Sequence, residues 1–321
     1  MLLKLSFLCV LVSFTQWSFA LPKNKGSFQF ALIGDLPYGL KVDEHSPSFD
    51  GFQAMINQDP HLKWVLHAGD IKKGSTPCSD AMLMDRFRRF KKFTKPFILT
   101  PGDNEWTDCH GVRAGEYQPL ERLAKVRKIF FSDASLYGKS FRPEVSLELV
   151  ENIRWEQAGV LFATIHIVGS ENGLKPFDPD SRVIRTRADD REVKSRTASG
   201  LQWLHDTFDL AERSAAPGVF LMVHGNPGLE REDAARDGFN DFLKVLQQRV
   251  EAFQKPVVLA HGDSHYFRID KPKLYSRTLR NFTRVETFEK HDAWIRVTVD
   301  PQSTQVFSFT QVPVLPYGSD L

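Results

Sequence analysis

Six apolar runs along this chain break off abruptly into polar residues. Phe28–Ile33 runs into "GDLPYG", Trp64–Leu66 into "HAGDIKKG" and Pro96–Leu99 into "TPGDNEW". Val160–Val168 runs into "GSENG", Val219–Val223 into "HGNPG" and Pro256–Ala260 into "HGDSH". Short continuous apolar runs of this kind predict strands buried on both faces. Helical spacing of apolar residues predicts amphipathic helices over Phe49–Ile56, Ala81–Phe93, Leu120–Phe131, Gly200–Ala211 and Phe239–Phe253. Toward the C-terminus, "TRVETFE", "AWIRVTVD" and "TQVFSFTQ" alternate apolar with polar positions, which predicts three strands of an antiparallel meander. The sum is a layered α/β architecture, with sheets inside and helices outside, in a single domain spanning 21–321.

Composition narrows the class. With 321 residues, 41% hydrophobic and 26% charged, the chain buries a substantial core. Its 26 phenylalanines suit an aromatic-rich one. A net charge of +2 excludes a nucleic-acid partner held by a general positive field. The basic run "RFRRFKKFTK" places Phe87, Phe90 and Phe93 at helical spacing, so it reads as an amphipathic helix with a solvated basic face.

Residues 1–20 read as a signal peptide: Lys4 in a short n-region, an apolar stretch from Leu5 to Phe14, and the small-x-small ending Ser18–Phe19–Ala20. The expectation is a secreted or periplasmic protein that begins near Leu21 and has no membrane span thereafter. Cys9 leaves with the leader. Cys78 and Cys109 remain, and in an oxidising compartment they are expected to form a disulfide. Asn281–Phe282–Thr283 is an N-glycosylation sequon, usable if the source is a eukaryote.

The chemistry gathers where the strands stop. In open α/β sheets, ligands bind beyond the carboxyl ends of the strands. There this chain places Asp35, Asp70, Asp103, Asn104, His224, His261, Asp263 and His265, often beside a glycine that lets the chain turn sharply. Oxygen and imidazole donors without thiolate suit Mn, Mg, Fe or Zn. If these carboxylates converge, protons or cations must neutralise them. Two divalent ions roughly 3.5–4 Å apart can activate a water and clamp phosphoryl oxygens during an in-line displacement.

The ordered blocks GD (34–35), GD (69–70), GDNE (102–105), His224 and HGDSH (261–265) resemble the calcineurin-like metallophosphoesterases, the superfamily that includes purple acid phosphatases. There the blocks read roughly GDxH, GDxx[DY], GNH[DE], a His after an apolar strand, and GHxH. The resemblance covers about residues 27–268 and implies a two-sheet β-sandwich flanked by helices. It also implies a phosphoric ester substrate and metal-activated water attacking phosphorus at a dinuclear site. Carried over, Asp35 and His265 are ligands of the first metal, Asp70 bridges, and His224 binds the second.

This chain departs from the pattern in several places. Pro37 stands where the first block often has His, and Lys73 stands where purple acid phosphatases supply Tyr. Asp103 replaces the ligand Asn, Asn104 replaces the His that steadies phosphate or leaving group, and Asp263 replaces the first His of the last block. A second metal held by Asp70, Asp103, Asp263 and His224 has a hard, anionic shell that favours Mn or Mg, with Lys73 partly balancing the charge. A one-residue slide would make Asn104 the ligand instead.

His110 is then the nearest candidate for donating a proton to the leaving group. A Cys78–Cys109 bridge would pin its loop to that of the second block. His67 and His261 read as supporting residues, and His166 as buried and hydrogen-bonded. His45, His61, His205 and His291 read as surface residues. Asn172 and Asn226 border the same crevice and offer hydrogen bonds to a phosphate, or simply turn chemistry. Two other readings compete. "GDSH" resembles the serine block of GDS-type esterases, with Ser264 as nucleophile, but it comes late in the chain and no C-terminal DxxH follows. The missing ligands also fit a catalytically weak secreted metal- or ligand-binding protein on the same fold.

Overall fold

Period-two alternation inside Phe28–Ile33 divides its side chains between two layers. Phe28, Phe30 and Leu32 join Trp64, Phe162, Phe220 and Val258 in one buried cluster. Ala31 and Ile33 turn to the other face and pack with Phe49, Phe52 and Phe90. In the computed structural model, which describes residues 26–38, 48–132, 136–138, 140–231, 237–289 and 291–314, this division holds throughout. Residues 1–20, the expected signal peptide with Cys9, and His45 lie outside the described residues.

Five strands form the first sheet, in the order Phe307–Pro313, Ala293–Val299, Phe28–Ile33, Leu62–His67, Phe97–Leu99. The second sheet runs Glu144–Val145, Ile153–Gln157, Val160–Thr164, Val219–Met222, Val257–His261, Phe282–Glu286, Arg268–Asp270. The strands that end at the polar blocks run parallel to one another within each sheet: 28–33, 62–67 and 97–99 in one, 160–164, 219–222 and 257–261 in the other. Between the sheets lies an aromatic layer in which Trp64 meets Phe162 edge-on at 5.3 Å and Phe30 meets Phe220 edge-on at 5.2 Å. Such pairs contribute roughly 0.5–1.5 kcal/mol each beyond their burial. Helices 49–58 and 80–90 cover the outer face of the first sheet, and helices 187–213 and 237–253 that of the second. The architecture is the expected helix–sheet–sheet–helix sandwich. No helix among the described residues is long and apolar enough to cross a membrane.

Three elements differ from the sequence reading. Phe282–Glu286 is no meander strand: it pairs parallel to Val257–His261 in the second sheet, while Ala293–Val299 and Phe307–Pro313 are antiparallel in the first. Alternation marks a strand but does not say which sheet it joins. Helix 187–213 begins well before the expected Gly200, with Thr186 and Asp189 forming a capping box. Its first turns carry few apolar residues, so their spacing was invisible. The basic helix ends at Phe90, and its face is not wholly solvated, because buried Arg86 donates from Nε to the Ile71 carbonyl at 2.8 Å.

His291 packs on the rings of Phe49 and Phe52 instead of lying free on the surface. Asn281 of the sequon already donates from Nδ2 to the carbonyls of Val250 and Lys255, so a glycan there would displace both hydrogen bonds.

The Cys78–Cys109 disulfide is present, with a Cα–Cα distance of 5.8 Å. It ties the loop after Leu62–His67 to the loop after Phe97–Leu99. Its 31-residue separation corresponds to about 3–4 kcal/mol in the chain-entropy account. Cys78→Ser with Cys109→Ser should lower unfolding free energy in urea by that amount. The double variant should also lose the response to reductant that the parent shows. Equal midpoints for parent and variant would contradict the assignment.

Candidate metal centre

The two sheets bring their strand ends to one crevice. Asp35 follows strand 28–33, Asp70 follows 62–67 and Asp103 follows 97–99 in the first sheet. His224 follows 219–222, and Asp263 and His265 follow 257–261, in the second. Asp35, Asp70, Asp263 and His265 have φ of 57°, 58°, 79° and 68°. The left-handed turn expected of the glycines is thus carried at these positions by the site residues themselves, a strain that the surrounding structure must hold in place. Gly102 serves close approach instead, since a Cβ there would collide with Asp70 Oδ1.

Two groups of donors form, each with its ligand atoms within 4.8 Å of one another: Asp35, Asp70 and His224, and Asp103, His224 and Asp263. His224 donates from Nδ1 to the Ala68 carbonyl at 2.6 Å, which leaves Nε2 facing Asp103 Oδ1 at 2.9 Å and Asp70 Oδ1 at 3.2 Å. This backbone contact selects the ring orientation a metal-binding imidazole needs. The two oxygens of Asp70 point to opposite sides, Oδ1 toward His224 and Oδ2 toward the Tyr38 hydroxyl at 2.7 Å. Asp263 reaches back through its backbone N–H to Asp35 Oδ1 at 3.1 Å, and its own Oδ2 accepts from the Asn226 N–H at 2.9 Å. His265 stands at the rim, half-buried, with Nε2 3.5 Å from Asp35 Oδ1. Every metal-ligand candidate from the sequence is therefore in the crevice, and His224 is shared between both donor groups.

Several other residues fall differently. Asn104 does face the centre: its amide donates to Asp70 Oδ2 and its backbone N–H to Asp70 Oδ1. Lys73 is exposed, and the lysine buried beside the acids is Lys72, whose Nζ donates to the Lys73 carbonyl. Asn172 is committed to the protein, accepting from Arg196 and donating to Thr197. His261 is buried, with its ring against the Gly262 carbonyl and Arg284 and Arg268 as charged neighbours. His67 is buried too, and its Nε2 meets the Leu36 carbonyl at 2.8 Å, supporting the first loop. His166 is buried against Glu151 at 2.6 Å, as expected. His110 stacks on Phe177, its Nδ1 accepting from the Asp178 N–H, in a cleft beside the centre. Ser264 donates to Glu286 and accepts from the Asn226 amide, so its hydroxyl is committed within the fold.

Tyr38 is the functional candidate that the sequence reading passed over. Its hydroxyl lies 2.7 Å from Asp70, 3.3 Å from Asp35 and 3.4 Å from His265. "GDLPY" placed it three residues after Asp35, but the block templates direct attention to a tyrosine after the second GD. Glu105 and Ser170 were also missed. Glu105, buried, accepts from the Gly102 and Ile71 N–H groups and so fixes both loops. Ser170 Oγ bridges Asp103 at 3.0 Å and Asp108 at 2.7 Å.

Charge crowding is the electrostatic mark of the site. Burial, with Asp103, Glu105 and Asp35 nearby, pushes the Asp70 carboxyl well above its usual range despite the pull of His224. Burial and the Asp103 charge push Asp263 up to about 6. Burial alone would lower His224, but Asp70 and Asp103 raise it well above 6.5. Protons thus do the neutralising that cations would do, and the donor set of carboxylates plus one correctly turned imidazole fits divalent ions.

A pH prediction follows. Cation binding must compete with the protons that crowding favours on Asp70 and His224, and on Asp263 as pH falls through about 6. Apparent affinity for Mn should drop about tenfold per pH unit for each proton displaced on going from pH 7 to 5. Calorimetry in buffers of different ionisation enthalpy should register proton release. Binding independent of both pH and buffer would contradict this account.

The sequence model of the calcineurin-like phosphoesterases matches residues 28–267. No curated protein sequence matches the chain. Among solved structures, the chain is similar to a dimetal phosphatase from Danio rerio at 12% identity and a TM-score of 0.50, over 89% of this chain and 99% of that one. At that identity the likeness speaks for the fold alone.

Proposed function

Because the chain belongs to the calcineurin-like phosphoesterase family, we propose that it hydrolyses phosphoric esters, using divalent cations held by Asp35, Asp70, Asp103, His224 and Asp263. The observation that carries this reading is the convergence of two carboxylate groups on His224, with Asp35 and Asp70 on one side and Asp103 and Asp263 on the other. Cations bound there would supply Lewis-acid activation of water and neutralise phosphoryl charge. Water adds its oxygen to phosphorus, the bond from phosphorus to the alcohol oxygen breaks, and the alcohol leaves with a proton.

The chain's own groups have separable tasks. Asn104, whose amide donates to Asp70 and to the Tyr38 hydroxyl, stands at the edge of the centre, where a phosphoryl oxygen would compete for those N–H groups. Tyr38 and His265 complete the Asp35 side, which supports giving Tyr38 the place left open by Pro37 and Lys73. One imidazole among four carboxylates favours Mn or Mg over zinc. The leader-like segment 1–20 and the disulfide support export as the setting.

A second reading, a metal- or ligand-binding protein with little turnover, is favoured by Asn104 standing where a catalytic His would and by His110 being turned onto Phe177. The two readings separate on 4-nitrophenyl phosphate and its bis ester, assayed with Mn, Mg, Zn, Fe or chelator. Release that requires metal supports the hydrolase. Metal binding with no release from either ester supports the binding protein.

A further inference from the structure

Beside the crevice lies a cleft of about 910 Å³, between the two disulfide-linked loops and the segment after Asn172. Its inner wall is one side chain from the metal-ligand set. Gly74 packs against the Asn104 side-chain carbonyl so closely that a Cβ would lie 2.9 Å from it, and Asn104 in turn contacts Asp70. Asp108, also on this wall, reaches Asp103 through the Ser170 hydroxyl. An ester whose phosphoryl group rests on the carboxylate–histidine cluster would therefore project its alcohol portion past Asn104 into this cleft.

The size and lining of the cleft say what kind of alcohol. Its volume is at the upper end of small-molecule sites, roughly 300–1,000 Å³, far more than a phosphate with a short alkyl chain fills. His110 and Phe177 stack face to face in it, ring centroids 4.1 Å apart and planes 12° apart, so an incoming ring would extend the stack on an outer face of the pair. Phe177 is further held by the Arg185 guanidinium over its ring at 5.4 Å. Burial lowers the titration of His110, which keeps the imidazole neutral and suited to stacking. Lys175, also lining the cleft, makes itself felt at both Asp108 and His110, so its positive charge reaches the inner wall. Arg113 lines the same cleft, as do the carboxylates of Asp108, Asp178 and Asp180.

Resting on the phosphoesterase reading, we propose that this cleft is the leaving-group subsite, and that the substrate is a phosphoric ester whose alcohol portion carries a planar aromatic ring, stacked on the His110–Phe177 pair. A simple aryl phosphate and a nucleotide share that chemistry, and the room in the cleft accommodates either.

The test compares full-length, metal-loaded protein with Phe177→Ala and Phe177→Tyr on 4-nitrophenyl phosphate, adenosine 5′-monophosphate and glycerol 2-phosphate. The ratio of kcat/KM on an aromatic ester to that on the aliphatic ester should fall tenfold or more in Phe177→Ala, chiefly through KM. It should stay within threefold of the parent in Phe177→Tyr. Whichever aromatic ester loses more identifies the ring the subsite takes. A ratio unchanged within twofold in Phe177→Ala overturns the proposal.

If the parent turns over none of the esters, the phosphoesterase reading fails, and the subsite is read separately by equilibrium binding of 4-nitrophenol and adenosine. Loss of tenfold or more in affinity on Phe177→Ala supports it. No binding, or equal binding by parent and variant, overturns it.

Discussion

Asp70→Ala should lower kcat/KM for metal-dependent ester hydrolysis by at least about 10³-fold, since it removes the buried carboxylate that joins Asp35 and His224 in one donor group and holds Asn104 and Tyr38. Stability separates this loss from misfolding. In the metal-free protein the Asp70 carboxyl is pushed up by burial and by its acidic neighbours, so its ionised form opposes folding. Removing it relieves that repulsion, while leaving the Asn104 backbone N–H and the Tyr38 hydroxyl short of a partner. Asp70→Asn keeps an acceptor for the Asn104 N–H and sets an amide N–H against the Tyr38 hydroxyl oxygen, which makes it the cleaner companion. For either variant, the metal-free Tm should stay near or above that of the parent. The rise in Tm on adding Mn, worth about 2.7 kcal/mol at a hundred times Kd, should vanish. Retained turnover, or a retained metal-induced rise in Tm, would remove Asp70 from the centre.

What could be read from sequence here was local, and what escaped was not. The metal-ligand candidates sit in dipeptides at the ends of apolar runs, so strand pattern and site pattern coincide and each supports the other. Contacts across the fold leave no such trace. Tyr38 meets Asp70 over 32 residues of chain, and nothing in "GDLPYG" says which carboxylate its hydroxyl will find. Lys72 and Lys73 are indistinguishable by type. Only the turn after Asp70 decides that Lys72 is buried, beside Glu105, while Lys73 points to solvent. Strand 282–286 alternates as an edge strand would, yet it lies between two neighbours of the second sheet, because its pairing is chosen by Val257–His261. His110 had the right chemistry and the right loop, but Phe177, 67 residues on, takes its ring.

Arg196→Met should lower unfolding free energy by about 3–5 kcal/mol and metal affinity by about 10–100-fold, although Arg196 is no ligand candidate. The reason lies in "GSEN", which reads as an ordinary turn. Ser170, Glu171 and Asn172 have φ of 50°, 54° and 55°, three successive left-handed residues with side chains. Each costs roughly 1–2 kcal/mol against the right-handed form, so the turn needs an anchor. Arg196, its side chain fully buried, is that anchor. Nη1 donates to Asn172 Oδ1 at 2.6 Å and to the His166 carbonyl at 3.2 Å, Nη2 to the Asn172 carbonyl at 3.0 Å, and Nε to Glu192 at 2.9 Å.

A methionine fills the volume but leaves those acceptors buried and unpartnered. Once the turn relaxes, Ser170 no longer holds Asp103 and Asp108 together, and Asp103 loses the orientation that His224 meets. Arg196→Lys should recover little, because a single ammonium cannot reproduce the planar fork across two residues. Arg191→Ala, on the exposed side of the same helix, is the control and should stay within about 0.5 kcal/mol of the parent. Urea titration and Mn calorimetry on the same preparations decide the matter. If Arg196→Met matches the control in both, the left-handed turn holds itself and the link from helix to metal centre is absent.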